Sequence, residues 1–296
     1  MQTQPRRFGD NLNEWFRTLG REWKPLLLSS LVVYVPFALV VMGLFWVSGA
    51  AESFTLLIDP EALEELSPGE VLDTIAPFLW AAGIWTILQT VAGVFVYIAA
   101  ARVVTADLAG DVHSWRTVSR FAATKWPAGI VTTLIITVGA VLVLAMPTAI
   151  GWALIARAGV GFLTVFLTTT VALTALVVLF WLSVSVAMAL QVIAVEETSP
   201  FAALARSFAL VRGRWWHTIG FILVVGIIAS AASQVASLPL FPFFAVGMLY
   251  PEALAFGFGA SMVLQGPLLA AIGAGYAIWY LDLRARAEGL GRGSLP

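Results

Sequence analysis

Few residues in this sequence are suited to acid–base or metal chemistry. There are two histidines and no cysteine, which excludes thiolate nucleophiles, disulfides and cysteine-held metals. Asp111 and His113 stand two apart, a spacing that on a helix turns them to different faces. Glu196 and Glu197 are adjacent, so a helix would point them about 100° apart, a poor arrangement for a paired acid and base. His113 and His217 both lie in or beside basic, aromatic stretches, where a lipid headgroup is the natural neighbour. We therefore expect no catalytic residue, no metal site and no cofactor, and the chain reads as a non-enzyme.

The polarity that stands out is neutral and sits inside apolar runs. Gln89 falls near the centre of one run, and "QGP" places Gln265, Gly266 and Pro267 in the middle of another. Pro36 interrupts a third, and Thr168, Thr169 and Thr170 bring hydroxyls to a fourth. Proline frees a backbone carbonyl, and broken helices often mark ligand sites in membranes. Gln89, Gln265, Pro36, Pro267 and Thr169 are thus candidate ligand-binding residues. The alternative is that they serve as kinks and interhelical hydrogen bonds.

The elements that must position them follow from composition. The chain has 296 residues, 60% hydrophobic and 11% charged, where soluble domains carry roughly 25% charge. Lipid is the natural solvent for so apolar a surface. Six stretches are long enough to cross about 30 Å of hydrocarbon as helices: about 26–50, 76–105, 127–150, 160–195, 217–238 and 256–281. None alternates as a barrel strand would. The first is expected to be a retained span rather than a cleaved signal, because it is too long for a signal core. No charged residue falls in mid-span, which disfavours proton-coupled transport.

An even number of spans puts both termini on one side. Of the 16 Lys and Arg, only Arg157 falls on the other side, so the positive-inside rule predicts cytoplasmic termini and a plasma-membrane location. The outer segment 51–75 carries acids and no base. In it Ser67, Pro68 and Glu70 form a capping-box helix start, and Asp59 opens a weaker one. The apolar, proline-broken stretch 238–259 is expected to be a re-entrant or interfacial segment.

Three amphipathic stretches precede spans one, three and five. Leu12, Trp15, Phe16, Leu19 and Trp23 share one helical face, with Arg17, Arg21 and Lys24 elsewhere. Trp115, Val118, Ala122 and Trp126 repeat the spacing beside Arg116, Arg120 and Lys125. Phe201, Leu204, Ala205, Phe208 and Trp215 do so beside Arg206, Arg212 and Arg214, after a start at Ser199 and Pro200. Such helices lie in the membrane interface, with aromatic rings at headgroup depth and bases against anionic lipid. The predicted architecture is all-α: a polytopic membrane protein of six transmembrane helices and three cytoplasmic elbow helices. It forms a pseudo-threefold repeat over roughly 10–105, 111–195 and 198–287 within one membrane domain, 1–296. The bases and tryptophans above, with Arg284, are the candidate headgroup contacts. Gly266, Ala270 and Ala274 form a small-residue stripe for close packing, and Asp282 with Arg286 is an i, i+4 pair.

"AVEETSPFAALARSFALVRGRWWHTIG", followed one helix pair later by "YAIWYLDLRARAEGL", resembles the membrane domain attached to some glycerophosphoryl diester phosphodiesterases and to related six-span bacterial families. The matching positions are Glu196, Ser199, Pro200, Ser207, Arg212, Gly213 and Trp215, then Tyr280, Asp282, Leu283, Arg284, Arg286, Glu288 and Gly289. The resemblance implies the membrane module. The soluble catalytic barrel of such an enzyme has no counterpart in this sequence, so no phosphodiesterase activity is expected. The leading functional expectation is a non-enzymatic module that engages membrane lipid or an amphipathic ligand, with a possible scaffold role. The second is a permease-like subunit working with a partner membrane protein or a separate ATPase, since no nucleotide-binding motif occurs here. The third is a headgroup-acting membrane enzyme. No nucleic-acid partner is expected.

Overall fold

A computed structural model describes residues 6–58, 61 and 66–289. Every regular element among them is helical. We number the α-helices α1 (Phe8–Arg21), α2 (Trp23–Val47), α3 (Ala50–Leu57), α4 (Pro68–Ala109), α5 (Trp115–Ala158), α6 (Phe162–Val186), α7 (Ala189–Glu196), α8 (Pro200–Val211), α9 (Trp215–Ser237), α10 (Phe241–Gly247) and α11 (Pro251–Ala287), with a 3-10 turn at Leu238–Leu240 before α10. Six helical stretches are long and apolar enough to cross a membrane: α2, α4, α5, α6 with α7, α9 with its continuation, and α11.

The start of α4 follows the expected chemistry. The Glu70 N–H meets the Ser67 hydroxyl at 3.5 Å and the Ser67 N–H donates to the Glu70 carboxylate at 2.9 Å, with Pro68 in the first turn. Asp59, Glu64, Glu65 and Arg292 lie outside the described residues, as does most of the helix start expected at Asp59.

Helices α2, α4 and α11 form the core, with α1 laid against α11. Burial separates the spans: 61% of the apolar stretch of α4 is inside the protein, against 11% of that of α5. The α5–α6 hairpin and α9 are therefore peripheral and turn most of their apolar surface outward. Small residues let the core helices approach. A Cβ on Gly266 would lie 2.9 Å from the Tyr34 ring, and one on Gly259 would lie 3.0 Å from the Ala38 carbonyl oxygen. Ala270 and Ala274 continue that stripe and are buried.

The two ends of the bundle are held differently. At the end carrying both described chain termini, ion pairs join elements: Arg21 to Asp107 at 2.7 Å, Lys125 to Glu197 at 2.9 Å and Arg206 to Glu288 at 2.7 Å. We call this the basic end. At the opposite, acidic end Phe258 gathers Phe45, Phe54, Trp85 and Phe244 at centroid distances of 4.5 to 5.6 Å. The proline-broken stretch there is not a separate re-entrant segment: it continues α9 through the 3-10 turn and α10 to Gly247, and from Pro251 onward it belongs to α11, with Phe243 against Phe256 at 4.7 Å.

The three amphipathic segments join their spans in three different ways. Between α1 and α2 one residue, Glu22, leaves helical geometry. Between α8 and α9 the chain breaks over three residues and needs Gly213 at φ 89°, a conformation open to glycine. The middle segment has no break, because α5 runs straight through Trp126 and Pro127 for 44 residues, roughly 66 Å. Its basic part is an extension of the span rather than a separate arm.

The aromatic faces expected at the interface divide between the exterior and the protein. On α1 the buried residues are Asn11, Trp15 and Thr18, while Phe16 and, at the start of α2, Trp23 are exposed. On α8 they are Ala203, Ser207, Leu210 and Val211, and Phe201 is exposed. Close helix approach favours small side chains, and Phe16 and Phe201 are turned away from the bundle, while Trp15 is buried with its indole N–H donating to the Ala271 carbonyl at 2.8 Å.

Span four is interrupted near the basic end. Helix α6 stops at Val186 and α7 starts at Ala189. The Ser207 hydroxyl from α8 holds the gap, donating to the Ser185 carbonyl at 2.9 Å and accepting from the Met188 N–H at 3.2 Å.

Candidate functional site

Trp85, Gln89, Gly93 and Tyr97 recur every fourth residue on α4, so they share one face. Gln89 reaches across to α11, its side-chain amide N–H donating to the Gln265 side-chain oxygen. Tyr34 from α2 is fully buried, and its hydroxyl stands 3.9 Å from where a Gly93 Cβ would be. Tyr97 meets Tyr276 of α11 at 5.8 Å between ring centroids. These side chains form a polar seam along the α2–α4–α11 junction. Its Tyr34 hydroxyl, Trp85 indole nitrogen and Gln89 side-chain oxygen are buried without a hydrogen-bond partner. Buried polar groups are usually paired, so the seam keeps unused neutral donors and acceptors and no charge.

Of the five expected ligand residues, the structure brings Gln89 and Gln265 together and leaves the other three outside that contact. Pro36 is exposed on α2, and Pro267 is half-buried two residues beyond Gln265. Thr169 is exposed on α6. Its neighbour Thr168 faces inward instead, where a Cβ on Gly151 would come within 2.6 Å of its methyl group. Adjacent helical residues differ by about 100°, so only one member of the threonine triplet can face the hairpin contact. Tyr34 and Trp85 were not foreseen. Nor were Asn11 and Gln191, which are fully buried with both side-chain amide atoms unpartnered. The available signal was a lone Gln within "LQVIAV" and Asn11 three residues before Glu14.

Lateral grooves open beside this core. One, about 340 Å3 between α4 and α5, is lined among others by Thr86, Thr90, Val94, Ile130, Thr133 and Thr137. Another, about 530 Å3, lies between α6 and the start of α9.

The basic residues divide into two sets. Arg21 is bound by Asp107 and Glu14, and those hydrogen bonds, Asp107 first, raise its pKa above the ordinary arginine value. Arg206 pairs with Glu196 at 3.1 Å and with Glu288, and Arg284 with Glu288 at 3.0 Å. Burial pulls the Arg206 pKa down, but the Glu196 hydrogen bond and the charges of Glu196 and Glu288 outweigh it, and the net shift is upward. Lys125 is engaged by Glu197. Arg17, Arg120, Arg212 and Arg214 have no acidic partner among the described residues. Lys24 and Arg116 instead lie over the rings of Trp23 and Trp115, at 5.5 and 5.3 Å.

The tryptophans divide as well. Trp23 is exposed. Trp215 donates to the Trp181 carbonyl at 3.3 Å. Trp126, expected at headgroup depth, is docked on the core. Its indole N–H donates to the Val91 carbonyl at 2.8 Å, roughly 17 Å along α5 from its start.

The two histidines sit apart, in different surroundings. The His113 ring contacts the Asp111 backbone carbonyl at 3.0 Å and the Glu22 carboxylate at 2.9 Å, so it ties the α4–α5 loop to the α1–α2 junction. His217 is exposed. No group of three or more metal-ligating side chains exists among the described residues.

These features define an all-helical protein with six helices able to cross a membrane, a neutral polar seam in its core and grooves on its flanks. No known protein family, no curated protein and no solved structure matches this chain.

Proposed function

We propose that this chain is a non-enzymatic integral membrane module that engages lipid or an amphipathic ligand and can act as a scaffold. It sits in the plasma membrane with the basic end, and so both termini, in the cytoplasm. The observation that carries this reading is the α4–α5 groove, where the Thr86, Thr90, Thr133 and Thr137 side chains line an otherwise apolar opening of about 340 Å3. A few neutral polar groups in an apolar cleft suit a chain-bearing ligand with a small polar head. The amphipathic segments fit the same reading as interfacial elements, with Phe16, Trp23 and Phe201 turned outward and available to the acyl boundary. We also propose that the six-span arrangement is the membrane module resembling that of the glycerophosphoryl diester phosphodiesterases, and that the three units derive from one plan of a basic amphipathic segment followed by a helix pair, with the elbow of the middle unit straightened into its span.

The test is photocrosslinking in native membranes with a lipid carrying a photoreactive acyl chain, followed by peptide mapping. Adducts are expected on 86–94 and 130–137. Their absence there, with adducts spread evenly over the outer faces, would overturn the reading.

A permease-like subunit served by a separate ATPase is the second reading. Arg116 and Arg120, on the basic extension of α5 and without acidic partners among the described residues, favour it as a docking surface. An ATPase that copurifies with the parent chain and is lost on R116E/R120E would select that reading.

A further inference from the structure

The α6–α9 groove has bases next to it in the chain, Arg212 and Arg214 just before its Trp215 and Trp216. It encloses about 530 Å3 and is lined by Val177, Val178, Phe180, Trp181, Trp215 and Trp216. One indole is fixed, because Trp215 donates to the Trp181 carbonyl and packs edge-on against Phe180 at 5.8 Å. The other is free: Trp216 is 77% exposed and meets Trp215 edge-on at 4.8 Å. Such a wall has an apolar body and indole N–H tips, the chemistry that settles at the boundary of acyl chains and headgroups.

The residues just before this wall are Arg212, Gly213 and Arg214. The Arg214 N–H donates to the Val211 carbonyl at 2.9 Å, closing a tight turn that the positive φ of Gly213 permits. Most neighbouring bases at this end are committed, Arg206 and Arg284 to Glu196 and Glu288, and Arg286 to Asp282. Arg212 and Arg214 have no acidic partner among the described residues, and Arg212 is exposed. Helix α9 also starts without a capping side chain, which leaves its first N–H groups for an anion.

We infer that this groove, with Arg212 and Arg214, is a binding site for an anionic phospholipid of the surrounding bilayer. An acyl chain lies along the Val177–Trp181 and Trp216 wall, and the phosphate meets the two guanidinium groups, whose planar donor sets suit phosphate oxygens. The inference rests on the lipid-engaging reading and adds to it the headgroup charge and the residues that select it.

The test places a photoreactive side chain in the groove, Val178→benzoylphenylalanine, in nanodiscs of phosphatidylglycerol and phosphatidylcholine in equal amounts with matched acyl chains. Intact-protein mass spectrometry counts the two adducts. A base near the surface favours anionic lipid by about fivefold, so the parent should prefer phosphatidylglycerol by about 5- to 25-fold. R212Q/R214Q, both outside any helix, should bring the ratio close to one while total adduct is unchanged. Excess soluble glycerol phosphate should leave the parent ratio unaltered.

Equal adducts in the parent, or a ratio indifferent to R212Q/R214Q, would overturn the site and leave the lipid-engaging reading standing. Loss of the preference to glycerol phosphate would overturn it in favour of a free-phosphate ligand. No adduct at position 178 would overturn it too, and if the α4–α5 groove also takes no lipid, the broader reading falls with it.

Discussion

Ser207→Ala probes the joint that breaks span four. Ser207 is fully buried, and its hydroxyl makes the Ser185 and Met188 bonds at 2.9 and 3.2 Å. Removing the oxygen leaves a buried carbonyl and a buried N–H without their partner. An orphaned buried polar group costs roughly 1–3 kcal/mol. Side-chain hydrogen bonds between membrane helices measure lower, about 0.6 kcal/mol on average and about 1.7 at most. Part of the loss can be recovered if the gap closes toward regular helix, since the Ala187 N–H already reaches Val184 at 3.3 Å. We therefore expect a loss of about 2 kcal/mol, corresponding to a fall of roughly 3 °C in the melting temperature of a chain this size.

The assay is thermal unfolding of the detergent-solubilised protein, read by the surviving monodisperse fraction. Ser183→Ala is the control. Ser183 is exposed and its hydroxyl only bonds back to the Phe180 carbonyl at 2.8 Å, so it should change stability by less than about 0.5 kcal/mol. Hydrogen exchange at the Met188 amide should quicken in S207A and stay unchanged in S183A. If S207A melts with S183A and exchange at Met188 does not change, the joint does not depend on Ser207.

Three other outcomes follow from the same contacts. Gly259→Ala brings a methyl to about 3 Å of the Ala38 carbonyl oxygen and the Met42 Cβ, so α2 must move away from α11. We expect a loss of about 1–3 kcal/mol by thermal melt, while Gly226→Ala, with no atom in the way, should be neutral or mildly stabilising. A double-mutant cycle of Gln89→Leu and Gln265→Leu should give a coupling energy of about 0.6 kcal/mol, up to about 1.7. Zero coupling would mean that the amide contact does not hold in the bilayer. The chain has no native cysteine, so single-cysteine labelling reads its topology directly. Val112→Cys, at a fully exposed loop position, should react with an impermeant reagent only after permeabilisation, and exposed Val160→Cys should react in intact cells. The opposite pattern would invert the proposed orientation.

What the sequence determined by itself was what depends on local composition. Six runs of apolar residues had to become helices, because in lipid each backbone group must be paired within its own segment. Ser67, Pro68 and Glu70 set the start of α4 through contacts that span three residues. The i, i+4 pair Asp282–Arg286 formed at 2.7 Å for the same reason.

Which face of each helix meets protein was decided only by tertiary structure. The aromatic faces of α1 and α8 were expected at the acyl boundary, and Phe16 and Phe201 do face outward, but Trp15 joined Asn11, Thr18, Ala203 and Ser207 on the protein-facing side, because close approach rewards small residues and an indole that finds a partner inside. The same holds for charge. Arg17 and Arg21 are indistinguishable in "EWFRTLGREW", but only Arg21 comes to lie 2.7 Å from Asp107, which is 86 residues away. Whether a base is spent on an internal acid or left for a headgroup is a fact about three-dimensional neighbours, and periodicity carries no information about which acid a folded chain brings alongside.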